Sequence, residues 1–178
     1  MIGVEYTRIS GPGGRISSDL PCLIQGGGPI IKDGVDVFRE SLGWAFANCQ
    51  SRYTILLERK IDTIKADNNT VLTKWRILDA VILPPTSYMD LDTSADPLHV
   101  YQDGDCLLDG KTGTALFATL RWGDRGEDDY DPVSGIEWAD WQTGIEQAWA
   151  FDLDALRIVP VSTKRVKCGK QWYDEDED

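Results

Sequence analysis

The sequence predicts an α+β fold, an antiparallel β-rich sheet or partly open barrel carrying about two helices. Three observations lead there. Short alternating apolar segments recur along most of the chain, turn dipeptides separate many of them, and two windows space their apolar residues as a helix does. No regular strand-helix alternation accompanies them, so a parallel βαβ architecture is not expected.

Residues 1–9 read as a strand with Val4, Tyr6 and Arg8 on one side, ended by Gly11-Pro12-Gly13-Gly14. Residues 20–24 read as a second short strand, and Gly26-Gly27-Gly28-Pro29 as a sharp corner or loop, since glycine permits backbone conformations that a Cβ resists. From 35 to 49, Phe38, Leu42, Ala45, Phe46 and Cys49 recur at helical spacing, with Asp33 and Asp36 suited to the first turn. Residues 52–61 and 70–83 alternate as two long strands joined at Asp67-Asn68-Asn69 and stopped by Pro84-Pro85, a long antiparallel hairpin. The first of these strands sets Tyr53, Ile55 and Leu57 against a polar face of Thr54, Glu58 and Lys60. The second sets Thr73, Trp75, Ile77, Asp79 and Val81 on one face.

Further on, 98–101, 106–108 and 114–122 read as short strands, with turns at Asp103-Gly104 and Asp109-Gly110. Ser134 and Glu137 have the spacing of a capping box, which predicts a helix over 136–150 bearing Trp138, Trp141, Ile145 and Ala148 on one side. Final strands are expected over 156–161 and 164–168. The 178 residues suffice for one well-buried core, so 1–173 reads as a single globular domain and 174–178, all acidic, as a disordered tail.

Charge is the sequence's strongest feature. Thirty acidic against eighteen basic residues give −12, which argues against direct nucleic-acid or anionic-membrane binding. Residues 1–85 are nearly balanced, whereas 86–140 hold thirteen acids against Lys111, Arg121 and Arg125. No apolar run long enough to cross a membrane is present, and residues 1–10 lack the features of a secretory signal, so a cytoplasmic protein is expected. Cys22, Cys49, Cys106 and Cys168 are widely spaced, with no C-x-x-C pair, and read as free buried thiols in that compartment.

Several chemistries lack their signatures. His99 is the chain's one histidine and no G-x-S-x-G elbow accompanies it, so Ser-His-Asp hydrolysis has no support. Asp109-Gly110-Lys111-Thr112 ends as a phosphate-binding loop does, but position 105 is aspartate where that loop needs glycine, and a hairpin turn is the expectation. Asp90 and Asp129 begin no EF-hand loop. No cofactor and no metal site is expected.

What remains is a non-catalytic acidic factor, an inhibitor, immunity-type protein or nucleic-acid mimic, that docks on a basic protein surface. Its expected contacts are Asp90, Asp92, Asp96, Asp103, Asp105, Asp124, Glu127, Asp128, Asp129 and Asp131, with Tyr101, Trp122, Tyr130 and Trp138 as aromatic anchors. Two alternatives use the same residues differently: a carboxylate-dependent hydrolase, with or without a divalent ion, and a structural subunit of a larger assembly. Oligomeric state is not legible.

Overall fold

A computed structural model describes residues 1–10, 16–32, 35–36, 41–65, 70–84, 98–102, 106–111, 116–121, 130–131, 136–140, 142 and 144–171. The chain divides into two compact units, Met1–Pro85 with Phe151–Ile158, and Thr86–Ala150 with Val159–Asp178.

The first unit is built on one six-stranded antiparallel sheet that curls into a nearly closed barrel. In sheet order its strands are β2 (Ile16–Ser18), β1 (Glu5–Ser10), β8 (Val71–Ile82), β7 (Arg52–Lys65), β6 (Leu42–Cys49) and β3 (Leu23–Pro29). A small separate hairpin pairs β4 (Ile31–Lys32) with β5 (Val35–Asp36). Register assigns the lumen. Tyr6 stands opposite Trp75, Ala45 opposite Leu56, and Ile24 opposite Ala47, and these residues with Leu20 and Ile77 form one buried cluster.

Two further strands are β14 (Ile145–Asp152) and β15 (Arg157–Val161). They join β11 (Leu116–Arg121) and β9 (Leu98–Gln102) in the order β15-β14-β11-β9. A second four-stranded sheet runs β10 (Cys106–Leu108), β16 (Val166–Gln171), β13 (Ile136–Ala139), β12 (Tyr130–Asp131). The second unit's core gathers Leu116, Ala118, Leu120, Ala139, Ile145, Ala148, Val166 and both of its cysteines.

The α+β expectation is overturned: among the described residues the structure is almost entirely β, and its helical part is a single 3-10 turn at Thr163–Arg165. The window 35–49 yields strands β5 and β6. Leu42, Ala45, Phe46 and Cys49 mimic helical spacing because β6 is buried on both faces, Gly43, Ala45 and Ala47 inward and Leu42 and Phe46 outward, which erases the two-residue period. The window 136–150 yields β13, a turn and β14. Asp140 makes the turn, its carbonyl accepting from Gly144 and Ile145 and its Oδ1 from the Gln142 amide, while Glu137 pairs in β13 rather than capping a helix.

Two smaller expectations also change. The glycines at 26–28 lie within β3, where a Cβ on Gly27 would come within 2.6 Å of the Trp44 carbonyl oxygen; the glycine serves close strand approach rather than a corner. The β7–β8 hairpin forms, with irregularities after Leu57 and Lys60, and the first of them, which skips Leu78, turns Asp79 away from the face of Trp75 and Ile77. The face of Glu58, read as polar, is the barrel interior, and Glu58 itself is 0% exposed.

The four cysteines are not free thiols. Cys22 bonds to Cys49 and Cys106 to Cys168, each pair across neighbouring antiparallel strands. Cys106 stands opposite Cys168 in the β10–β16 ladder, and Cys22 and Cys49 lie immediately beyond the Leu23–Asn48 pair of β3 and β6. Strand register makes these pairings local although 27 and 62 residues separate the partners in sequence.

Candidate functional site

The expected partner face belongs to the second unit, and its charge follows the unit boundary closely. Thr86–Ala150 and Val159–Asp178 together hold nineteen acidic and seven basic residues, the full −12, while the first unit holds eleven of each and is neutral. Four of those seven bases, Lys164, Arg165, Lys167 and Lys170, fall within seven residues spanning the 3-10 turn and β16. Arg165 is bound, donating through Nε and Nη2 to the Asp109 carboxylate at 3.0 and 2.5 Å. That hydrogen bond, followed by its charge, holds the Asp109 carboxyl below its ordinary range.

Asp90, Asp92, Asp96, Asp103, Asp105, Trp122, Asp124, Glu127, Asp128 and Asp129 lie outside the described residues. The remaining four are placed. Tyr130 and Asp131 form β12, an edge strand, opposite Glu137 and Ile136, and Trp138 follows on the neighbouring β13, half-buried, opposite Gly169. These three therefore share one hairpin. Tyr101 stands apart from them on β9, opposite Ala118 in the other sheet.

Asp109-Gly110 forms a two-residue hairpin turn with φ of 52° and 75°, closed by reciprocal hydrogen bonds between Leu108 and Lys111. Asp109 to Lys111 thus form the hairpin turn expected from the sequence. Among the described residues no three His, Cys, Asp or Glu side chains converge as a metal site, and no helix is long and apolar enough to cross a membrane.

The first unit contains a constellation that the sequence reading passed over. Inside the barrel Arg8 Nη2 donates to Glu58 Oε1 at 2.5 Å and approaches the Tyr6 hydroxyl oxygen at 2.6 Å, and that hydroxyl donates to Glu58 Oε2 at 2.5 Å. The Arg8 guanidinium also lies over the Trp75 ring, 4.9 Å from its centre. Glu58 is wholly buried and Arg8 is 8% exposed. Burial pushes both the Glu58 carboxyl and the Tyr6 hydroxyl up from their ordinary values, with the Arg8 charge opposing the shift in each case.

The glycines at 27 and 43 make room for this group. A Cβ on Gly43 would sit 3.2 Å from the Trp75 ring, and one on Gly27 would sit 3.4 Å from Arg8 Nη1. Arg8 Nε and Trp75 Nε1 are buried without a protein partner, so the desolvation of the cluster is not fully repaid by hydrogen bonds. Arg8 on β1, Glu58 on β7 and Trp75 on β8 link three neighbouring strands of the barrel through contacts that a slipped register loses. Its sequence signal was an arginine sharing a strand face with Tyr6, two residues from it.

Comparison with known proteins adds nothing to this geometry: no family model, no curated protein and no solved structure matches the chain.

Proposed function

We propose that the protein is a non-catalytic binding factor whose acidic second unit docks on a basic protein surface. The observation that carries this reading is the partition of charge, −12 on one unit and zero on the other. Seven of those excess acids precede the terminal run 174–178, and an excess of that size opposes the unit's folding through mutual repulsion, while complementary charge on a partner relieves it and accelerates encounter. Tyr130 and Asp131 on β12 and Trp138 on β13 share one hairpin, and aromatic contacts from it would supply the anchoring that charge alone lacks. The two disulfides favour an oxidising compartment over the cytoplasm as the place where this happens.

The test is affinity capture from the native host at low and high salt, using the full chain and the triple variant Asp128→Lys, Asp129→Lys, Asp131→Lys. The reading expects a basic protein that the natural chain retains at low salt, releases at high salt, and that the variant fails to retain. Equal retention by both chains, or retention indifferent to salt, overturns it.

A further inference from the structure

The two disulfides differ most in access. Cys106 and Cys168 are both 0% exposed, inside the core of the second unit and surrounded by Leu116, Ala118, Val166 and their neighbours. Cys22 and Cys49 are half-buried at one end of the barrel, where β3 begins and β6 ends. One side of the pair packs against the barrel's buried cluster, Leu23 beside them is 62% exposed, and the thioether of Met1 has its Sδ 4.0 Å from each sulfur. Thiol-disulfide exchange needs a thiolate to reach a disulfide sulfur, so exposure decides which bond in a folded protein reacts.

The surrounding ladders differ as well. Six residue pairs, from Leu23–Asn48 to Pro29–Gly43, join β3 to β6 without help from the Cys22–Cys49 bond. The β10–β16 ladder has three pairs, and the Cys106–Cys168 bond is part of one of them. Opening the first bond leaves its strands held by the ladder; opening the second removes a large share of what holds a short strand.

We propose that Cys22–Cys49 is a thiol-disulfide exchange site for a dithiol reductant, and that Cys106–Cys168 is a closed structural bond. In the first step one thiolate of the dithiol attacks the sulfur of one cysteine. A mixed disulfide forms, the Cys22–Cys49 bond breaks, and the other cysteine leaves as a thiolate that takes a proton. The second thiol of the reductant, losing its proton, then attacks its own sulfur in the mixed disulfide and releases the remaining cysteine, which is protonated in turn. The protein gains two electrons and two protons as a pair of thiols, and the reductant becomes its own disulfide.

Dithiothreitol serves as the dithiol probe on the full folded chain, with timed alkylation, peptide mapping and far-UV circular dichroism of each sample. Cys22 and Cys49 are expected to be alkylated at least about tenfold faster than Cys106 and Cys168, because only the first pair is accessible. The β signal stays unchanged as they react, and added glutathione disulfide restores the bond. Concurrent opening of both bonds, earlier opening of Cys106–Cys168, or loss of β signal as Cys22–Cys49 opens overturns the proposal. The variant Cys22→Ser, Cys49→Ser keeps the native spectrum and a slow Cys106–Cys168; if that bond becomes as reactive as Cys22–Cys49 is in the natural chain, Cys22–Cys49 is a structural clamp and the proposal fails.

Discussion

The two units handle charge in opposite ways. The first balances eleven acids with eleven bases and seals one pair, Arg8 and Glu58, inside its barrel. The second leaves twelve acids without a matching base, and its described core is built from Leu, Ile, Val, Ala and a disulfide. The total of −12 describes neither unit well. A buried ion pair binds no partner and contributes specificity of packing, whereas unbalanced charge contributes nothing to packing and much to long-range attraction.

The sharpest way to break the comparison is to unpair the barrel. Arg8→Met leaves Glu58 buried without its counter-charge and is expected to cost about 3–5 kcal/mol. Hydrogen exchange reads the two units separately: protection should fall at Leu56 and Ile77 amides and hold at Ala118 and Leu120. Adding Glu58→Met should recover most of the loss, since apolar residues of similar size commonly replace a buried pair at little cost. A double variant no better than Arg8→Met would show that packing, not charge, holds the barrel there.

A smaller effect is expected at the turn beside Cys49. Gln50 and Ser51 connect β6 to β7 with φ of 54° and 63°, a left-handed pair that asparagine and glycine adopt more readily. Gln50→Asn with Ser51→Gly should stabilise the first unit by about 1 kcal/mol in urea denaturation. Asp109-Gly110, the equivalent turn in the second unit, already has the favoured residues, and Gly110→Ala should destabilise it by a similar amount.

The smallest effect is a pH dependence on the outer face of the barrel. Hydrogen bonds from Lys74 and then Arg76 lower the Glu5 carboxyl from 4.5 to about 2. The folded state thus favours the ionised form, and the stability it contributes is present above pH 4.5 and lost as pH falls through about 2. Glu5→Gln should be less stable than the natural chain at neutral pH and indistinguishable from it below about pH 2, with the gap narrowed by salt because the pair is exposed.

Much of the strand pattern was legible where one face of a strand is buried and a turn dipeptide follows. The β7–β8 hairpin, its stop before Pro84-Pro85, and the Asp109-Gly110 turn are such cases. Legibility failed where burial is two-sided. Leu42 to Cys49 carries apolar or small residues on both faces, and periodicity alone cannot separate that run from a helix. The cysteines failed for a different reason: pairing follows strand register, and register was not available from spacings of 27 and 62 residues. Glu58 stood on the polar face of its strand, and nothing in that alternation showed that Arg8 would be buried with it. Of the residues proposed to meet a partner, the sequence located the acids and the structure adds only that Tyr130, Asp131 and Trp138 share one hairpin.

The account rests on attraction by the second unit in particular, and equal charge changes in the two units separate that from net charge. Association rates with the captured basic partner, measured by stopped flow across ionic strength, should be compared for two triple variants. One carries Asp128→Lys, Asp129→Lys and Asp131→Lys; the other carries Asp62→Lys, Asp67→Lys and Asp154→Lys in the first unit. The account predicts a large fall in rate and a flatter salt dependence for the first variant, and near-natural kinetics for the second. Equal slowing by both variants would contradict it.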